Sequence, residues 1–368
     1  MWEWREPFDS LLWLTSGGMV GTLARMALVE LFRCYSTAVP GAGACRSLDE
    51  GALFLVLAPN MAGCFIAGLL STPAAAGVAS DERYGFHALA ALPPSHRVQA
   101  LTRVHVGLRT GLCGALTTWA SWNQQMTARA IQGDWARALL GLLFGVQLSL
   151  SSLAFGQHVA AGFWHEYTHP RHHAATYDGA AEPGGLTTLA GEPPPTAQCH
   201  PPAAQLWSGD VAAGVTLGAA VAGCVAGLVQ SSNATAREVC LAALCGPFGV
   251  VVRWQLARLN GALRAVPWLP LGTLVANVAA CVFDAALAAG YVRTRLARGA
   301  VWGGVLNAAL QAGIGGGLST VSTAVVEASL LFTVVGSRWR GYVYLLATLV
   351  ASYAPALAIY GGATHAHY

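Results

Sequence analysis

The chain has 368 residues, of which 55% are apolar and only 10% are charged. Soluble domains carry about 25% charged residues, so this composition excludes a protein with a fully hydrated surface. The net charge of +3 and the lack of basic runs interleaved with aromatic residues give no expectation of nucleic-acid binding. Long apolar stretches recur along the chain and predict a multi-pass membrane protein in the lipid bilayer.

Nine apolar stretches are long enough to cross a bilayer, which requires about 20 residues per helix. They lie at residues 11–33, 52–71, 105–130, 135–162, 207–230, 239–260, 270–292, 300–335 and 339–361. The fold class predicted from them is therefore an all-α membrane protein with nine spans.

A polar stretch rich in Pro, Gly, Thr and His separates the fourth span from the fifth and has the composition of a linker. The fifth span consists mainly of Ala, Gly and Val, carries no charge in its apolar part, and is predicted to serve only as a topological spacer. The predicted units are a four-helix repeat at 1–163, the linker at 164–206, a linker transmembrane helix at 207–230 and a second four-helix repeat at 231–368.

The spans on the two sides of the linker helix resemble each other at three landmarks that occur in the same order. The first landmark is Gly17-Gly18-Met-Val-Gly21-Thr-Leu-Ala-Arg25, which corresponds to Cys245-Gly246-Pro-Phe-Gly249-Val-Val-Val-Arg253. The second is Asn60, which corresponds to Asn277. The third is Gly111-Leu-Cys-Gly114-Ala-Leu116-Thr117-Thr118, which corresponds to Gly313-Ile-Gly-Gly316-Gly-Leu318-Ser319-Thr320. Such agreement indicates an internal repeat. Four spans plus one spacer place the second repeat upside down relative to the first, with a pseudo-two-fold axis in the membrane plane.

The third span of each repeat combines glycine with consecutive hydroxyl residues, which loosen a membrane helix. The residues singled out there are Gly114, Thr117, Thr118, Trp119, Ser121 and Trp122 in the first repeat, and Gly316, Ser319, Thr320, Ser322 and Thr323 in the second. A break in these helices would free backbone carbonyls, which should then line a cavity or hold a cation. Close helix packing through small residues is the alternative.

Two polar pairs occupy equivalent places in the two repeats. Asn60 and Asn277 offer N–H donors suited to an anion, although an interhelical hydrogen bond would also explain them. Arg25 and Arg253 lie inside spans, where arginine commonly faces the protein interior or a water-filled vestibule and attracts anions. Snorkelling to the lipid headgroups is the alternative for the arginines.

The second repeat carries further candidates for an ion pathway. Glu327 follows the predicted break, where it could act as a gate or as an ordinary polar contact; Gln125 takes the equivalent place in the first repeat. Tyr344, Thr348 and Ser352 are four residues apart, so their hydroxyl groups lie on one helix face. Such a ladder suits a small ion that is losing water, but it is also compatible with ordinary helix packing.

The segment His165-Glu166-Tyr-Thr-His169 has the spacing of a zinc protease motif. The motif needs both histidines on one helix face, but Pro170 follows at once and the spans supply no convincing third ligand. We therefore do not expect a membrane protease.

The landmarks resemble the motifs of the fluoride channel family known in bacteria as Fluc or CrcB, and the chain is similar to the fused eukaryotic fluoride exporters of that family. The second repeat keeps Gly272-Thr273-Leu274-Val-Ala-Asn277 in full, whereas the first keeps only Asn60. The two phenylalanines of the family's third-helix motif are Trp119 and Trp122 in the first repeat and Val321 and Ala324 in the second.

The resemblance implies that two antiparallel units surround a structural sodium ion held by the carbonyls of Gly114, Thr117, Gly316 and Ser319. It also implies two narrow anion pathways lined by aromatic edges, Asn amides and hydroxyl groups. Because the second repeat lacks both aromatic residues, we hypothesise that only one pathway conducts.

The function implied by the resemblance is a fluoride-selective channel of the plasma membrane that exports fluoride passively and gives fluoride resistance. A single chain is expected to suffice, because its two repeats mimic a dimer. The alternative from a different class is a secondary transporter of a small cation or metabolite, since inverted repeats are common among transporters.

Overall fold

The computed structural model describes residues 5–32, 54–71, 98, 101–168, 203–294 and 301–365, without the side chains of 5–8, 163–168, 203–208, 294, 301 and 365. These residues form helices and turns and contain no strand. The α-helices are α1 Arg5–Phe32, α2 Leu57–Leu69, α3 Thr102–His105, α4 Gly114–Leu116, α5 Trp119–Ile131, α6 Trp135–Thr168, α7 Ala203–Gln230, α8 Ala234–Leu256, α9 Leu271–Thr294, α10 Val301–Leu310, α11 Gly316–Leu318, α12 Ser322–Thr333 and α13 Trp339–His365.

Seven of the described helical stretches are long and apolar enough to cross a membrane. They are Asp9–Phe32, Trp135–Gly162, Gly209–Gln230, Ala234–Leu259, Leu271–Arg293, Trp302–Thr333 and Trp339–Thr364. Two of the nine predicted spans are not among them: the span at 52–71 contains a described helix of only 13 residues, α2, and the span at 105–130 is divided into shorter pieces. The chain is an all-helical, multi-pass membrane protein.

The third helical stretch of each half is built from four pieces. In the first half, π-helical turns at Val106–Cys113 join α3 to α4, and α5 follows after two extended residues. In the second half, π-helical turns at Gln311–Gly315 join α10 to α11, and α12 follows. π-helical turns are rare and occur frequently at functional sites.

The two halves, α1–α6 and α8–α13, pack closely against each other. Helix α1 contacts α8, α5 contacts α9 and α13, and α12 contacts α2 and α6. The largest cluster of buried apolar side chains draws on both halves, including Trp119, Trp122, Ala276, Val321 and Tyr344. The halves therefore share one core.

In each half, one glycine of the repeated landmark allows two helix backbones to approach each other closely. A Cβ atom on Gly21 would meet the carbonyl oxygen of Leu112, and one on Gly249 would meet that of Ile314. Because only glycine leaves room for these contacts, the landmark brings α1 and α8 against the third helical stretch of their own halves.

Helix α7 was expected to serve only as a topological spacer, but the structure shows that it also contacts the first half. Asp210 on α7 accepts a hydrogen bond of 2.9 Å from Trp13 Nε1 and lies 3.2 Å from Nε of Arg103. Arg103 also pairs with Asp9 at 3.2 Å. These contacts fasten one end of the spacer helix to α1 and α3.

The other predicted unit between the halves, the polar linker at 164–206, falls mostly outside the described residues. Helix α6 continues to Thr168 and α7 begins at Ala203, so both helices extend into the predicted linker. His169 lies outside the described residues, so the structure does not test the zinc-like motif.

Candidate ion pathway

The helical backbone is interrupted where the third stretch of each half passes through the core. Thr117 and Thr118 adopt extended conformations, with φ of −95° and −143° and ψ of 149° and 122°. Ser319 is extended in the same way, with φ −88° and ψ 161°. All three residues are fully buried, so the polar groups released by the interruption must find partners inside the protein.

The two interruptions cap each other's helices. The hydroxyl oxygen of Thr117 accepts hydrogen bonds from the backbone N–H groups of Val321 (3.2 Å) and Ser322 (3.1 Å) at the start of α12. The hydroxyl oxygen of Ser319 accepts from those of Trp119 (3.1 Å) and Ala120 (3.0 Å) at the start of α5. Each half therefore supplies the N-terminal cap for a helix of the other half.

A second cap lies within each half. Thr118 Oγ1 accepts from the N–H of Ser121 at 3.2 Å, and Thr320 Oγ1 accepts from that of Thr323 at 3.2 Å. The hydroxyl oxygens of Thr118 and Ser319 lie 3.2 Å apart. The hydroxyl-rich interruptions thus meet in one buried cluster.

Ser322 also belongs to this cluster. Its hydroxyl lies 3.0 Å from Thr117 Oγ1 and donates to the carbonyl oxygen of Cys113 at 3.1 Å. The hydroxyl of Thr117 lies 3.2 Å from that of Thr320. These contacts cross directly from one half of the chain to the other.

Asn60 and Asn277 each clamp an interruption, in that each side chain bonds to both the N–H and the carbonyl oxygen of one threonine. The amide of Asn60 accepts from Thr118 N (2.8 Å) and donates to Thr118 O (3.2 Å). Asn277 makes the same pair of bonds with Thr320, at 2.8 and 3.1 Å. Because each amide nitrogen carries two hydrogens, each asparagine retains one N–H for a further acceptor.

Because of these capping and asparagine hydrogen bonds, four backbone carbonyl groups lack the N–H donors that they would have in a continuous helix. In a continuous helix, Gly114 O and Thr117 O would accept from the N–H groups of Thr118 and Ser121, which donate instead to Asn60 and to Thr118 Oγ1. Gly316 O and Ser319 O lose their helical donors in the same way, as the N–H groups of Thr320 and Thr323 donate to Asn277 and to Thr320 Oγ1. Carbonyl oxygens suit a hard cation such as sodium, so these residues fit the predicted ion.

Each buried arginine reaches into the opposite half of the chain. Arg25 donates to the carbonyl oxygen of Ala312, and Arg253 donates to that of Thr110 at 2.8 Å. Both side chains are buried, at 2% and 4% exposure. The alternative of snorkelling to the headgroups is therefore wrong, and the guanidinium groups place positive charge beside the interruptions.

The two tryptophans of α5 differ in their surroundings. Trp122 donates from Nε1 to Gly141 O at 3.1 Å, and its ring fills a space where Gly145 has no side chain. Trp119 packs edge-on against Trp122 with ring centroids 5.1 Å apart. Trp119 is buried, and its Nε1 has no hydrogen-bond partner among the described residues.

Glu327 lies in a polar network between α12, α9 and α13. It accepts from Thr273 Oγ1 (2.7 Å), Tyr344 OH (2.7 Å) and Asn260 Nδ2 (3.2 Å). The equivalent Gln125 accepts a hydrogen bond from the backbone N–H of Leu55 at 3.0 Å. Glu327 on α12 thus holds together three other parts of the second half, namely α9, α13 and the turn at Asn260.

The predicted hydroxyl ladder is fully buried at Tyr344, Thr348 and Ser352. Two of its protons are already engaged, since Tyr344 donates to Glu327 and Thr348 donates to the carbonyl oxygen of Tyr344 at 2.8 Å. These two hydroxyl groups would have to rotate before they could donate to an anion.

Two buried polar residues were missed at the sequence level. Asn123 on α5 is 1% exposed, and its Nδ2 has no partner within the described ranges. Asp284 on α9 is 1% exposed, and neither of its carboxylate oxygens receives a hydrogen bond from a described residue. Both occur inside apolar spans, and the rarity of such groups there was the available signal.

Comparisons with known proteins agree with the resemblance seen in the motifs. The family model of CrcB-like proteins, described as Camphor Resistance (CrcB), matches residues 12–157 and 240–362, which is more than half of the chain. The chain is also 45% identical over 47 residues to the fluoride-specific ion channel FluC of Marinobacter nauticus. This alignment covers 13% of the chain and 37% of that relative. No solved structure matches the chain.

Proposed function

This chain belongs to the CrcB-like protein family, and on that premise we propose that it is a channel, not an enzyme, that conducts fluoride passively across a membrane. The relative from Marinobacter nauticus is described as a fluoride-specific ion channel. The alignment with it is short, so the contacts of the interrupted helices must support the transfer of that activity to this chain.

The observation that carries the proposal is the meeting of the two interrupted helices. Thr117 and Ser319 each cap a helix of the opposite half. This arrangement places helix N-termini, which favour negative charge, within a buried core. The guanidinium groups of Arg25 and Arg253 add positive charge beside them. The helix dipoles and the guanidinium charges make this part of the core favourable for a small anion that is losing water.

We further propose that the halves are inverted repeats and that one chain suffices for function. The support is the pairing of equivalent contacts: Arg25 binds the second half as Arg253 binds the first, and Asn60 and Asn277 make matching clamps. In this proposal the two spans predicted at 52–71 and 105–130 are added to the spans described above, so the chain crosses the membrane nine times. In a homodimeric relative the second copy would supply the contacts that this chain supplies to itself.

The sodium ion is part of the same proposal. The carbonyls of Gly114, Thr117, Gly316 and Ser319 would hold it, because the hydrogen bonds described above leave these oxygens without their helical donors. When bound, the ion would supply a fixed positive charge at the centre of the protein.

The distribution of donors favours a single working pathway. Helix α5 packs against α9 and α13, and it brings Trp119, with its unused N–H, toward the helices that carry Asn277 and Tyr344. Helix α12 packs against α2 and α6, but the residue at its start that corresponds to Trp119 is Val321. We propose that fluoride passes between α5, α9 and α13.

A negative membrane potential drives an anion outward, so a passive channel in the plasma membrane would export fluoride and give resistance to it. The alternative of a coupled secondary transporter draws support from Asp284, a buried carboxylate of the kind found in proton and cation pathways. The dependence of transport on a coupling gradient distinguishes the two.

The test uses the purified chain in liposomes loaded with potassium fluoride. With valinomycin setting the membrane potential, we expect fluoride efflux that follows the potential and is unchanged when the proton and sodium gradients are abolished. Efflux that requires either gradient would overturn the channel proposal in favour of the transporter.

A further inference from the structure

One face of α5 carries two buried N–H donors that no contact uses. Trp119 and Asn123 are each 1% exposed, and neither Trp119 Nε1 nor Asn123 Nδ2 has a hydrogen-bond partner in the described part of the chain. Residues four apart lie on the same face of a helix, one turn above the other. An unpaired buried donor is costly, so two of them on adjacent turns call for a ligand.

The orientation of the helix shows where this face points. Trp122 and Met126 mark the side of α5 that contacts α6, since they lie against Gly145 and Gly141. At about 100° per residue and measured from Trp122, Met126 lies at about 40°, Trp119 at about 60° and Asn123 at about 100°, all in the same direction. Trp119 therefore borders the side that contacts α6, and Asn123 is turned further from it. The helices of the opposite half that pack extensively against α5 are α9 and α13, which flank the proposed pathway.

The amide of Asn123 has a preferred direction. Thr127, one turn further along, donates to Asn123 Oδ1 at 3.4 Å, which occupies the acceptor side of the amide. Helical side chains lean toward the N-terminus of their helix, so Asn123 Nδ2 leans toward the turn of Trp119. Two N–H donors and no carboxylate on this face form a site for a small anion, not for a cation.

The other half of the chain lacks this arrangement. The equivalent residues are Val321, which immediately precedes α12, and Val325 on α12, and both are equally buried at 1% exposure. Because valine fills these positions without polar atoms, the fold does not require a donor at either place. The N–H groups of Trp119 and Asn123 on α5 are therefore not needed for packing.

We propose that Trp119 and Asn123 form a halide-binding site on α5, in which both N–H groups donate to a partly dehydrated fluoride ion. This inference rests on the proposed function and adds to it a coordinating residue, Asn123, that has no counterpart in the second half. Fluoride would occupy this site one helical turn beyond the interruption, along the pathway between α5, α9 and α13.

The test compares Asn123→Val, which copies the second half, with Gln124→Val, the same kind of change on the neighbouring position, where the second half has Val326. In liposomes we expect Asn123→Val to slow fluoride efflux about tenfold, the effect of losing one hydrogen bond to a charged group. Gln124→Val should conduct like the wild type. Equal efflux from Asn123→Val and Gln124→Val would overturn the site.

Two further variants separate donation from packing. Asn123→Ser retains a donor and should conduct between Asn123→Val and the wild type, and Trp119→Phe removes the N–H while keeping an aromatic ring and should slow efflux. Wild-type efflux from Trp119→Phe would overturn the role of the indole. If the wild-type chain conducts no fluoride, the channel proposal fails separately. In that case the site is tested by binding alone. Sodium fluoride should raise the unfolding temperature of the wild type but not that of Asn123→Val.

Discussion

The guanidinium group of Arg25 lies over Gly316 in the opposite half of the chain, in the space that a Cβ atom on Gly316 would occupy. Arg253 lies over Gly114 in the same way. The short helix that precedes each interruption, α4 or α11, therefore begins at a glycine that is covered by an arginine from the other half. This relationship makes the glycines necessary for the contact between the halves.

The first prediction concerns Gly316→Ala. The added methyl group overlaps the guanidinium of Arg25, so we expect a destabilisation of about 1–3 kcal/mol, measured as a lower unfolding temperature in detergent. Gly218→Ala on α7 is the matched control, because nothing lies within 4 Å of the added carbon. Equal unfolding temperatures for the two variants would show that Arg25 does not occupy this space.

The second prediction concerns the cap that Thr117 provides for α12. Thr117→Val keeps the shape of the side chain but removes the acceptor for two N–H groups, so we expect a loss of about 1–2 kcal/mol. Thr117→Ser should retain most of the stability. Thr216→Val on the exposed side of α7, where the hydroxyl bonds only to its own helix, should change the unfolding temperature little. A Thr117→Val protein as stable as Thr216→Val would contradict the reciprocal caps.

The third prediction concerns the two clamping asparagines. If fluoride passes between α5, α9 and α13, Asn277→Ser removes an amide that faces the conducting pathway, whereas Asn60→Ser acts at the opposite one. We expect the greater loss of fluoride efflux from Asn277→Ser. Equal, partial losses from the two variants would indicate two working pathways.

The fourth prediction concerns Glu327. Glu327→Leu leaves Thr273 and Tyr344 without their acceptor in the core, and we expect a destabilisation of about 2–4 kcal/mol from the unpaired donors. Glu327→Gln keeps an acceptor, as Gln125 does in the first half, and should unfold near the wild-type temperature. If Glu327→Leu and Glu327→Gln have the same unfolding temperature, the network does not stabilise the fold.

The helical class and the family could be predicted from the sequence, because apolar length and repeated landmarks are local properties of the chain. The region of the interruptions could also be predicted, since glycine followed by hydroxyl residues weakens a helix wherever it occurs. The span at 105–130 was harder to define because its π-helical turns depend on packing against α1, and the short helix α2 does not reach the length expected of a span.

The partners of the polar residues could not be predicted. Nothing local to Thr117 or Ser319 indicates that each caps a helix of the opposite half, because that contact depends on how the halves meet. The ladder at Tyr344 and Thr348 was defined by spacing alone, which does not reveal that both protons are engaged. Asn123 and Asp284 were missed because each has no counterpart in the other half, and the repeat drew attention to duplicated residues.

The central claim is that the two halves meet at their interrupted helices and together build a dehydrated path for fluoride. The most direct measurement is the release of fluoride and of chloride from liposomes that contain the purified wild-type chain, followed with ion-selective electrodes. The account predicts rapid fluoride release with no chloride release above that of protein-free liposomes. Chloride release at a comparable rate, or no release of either anion, would contradict it.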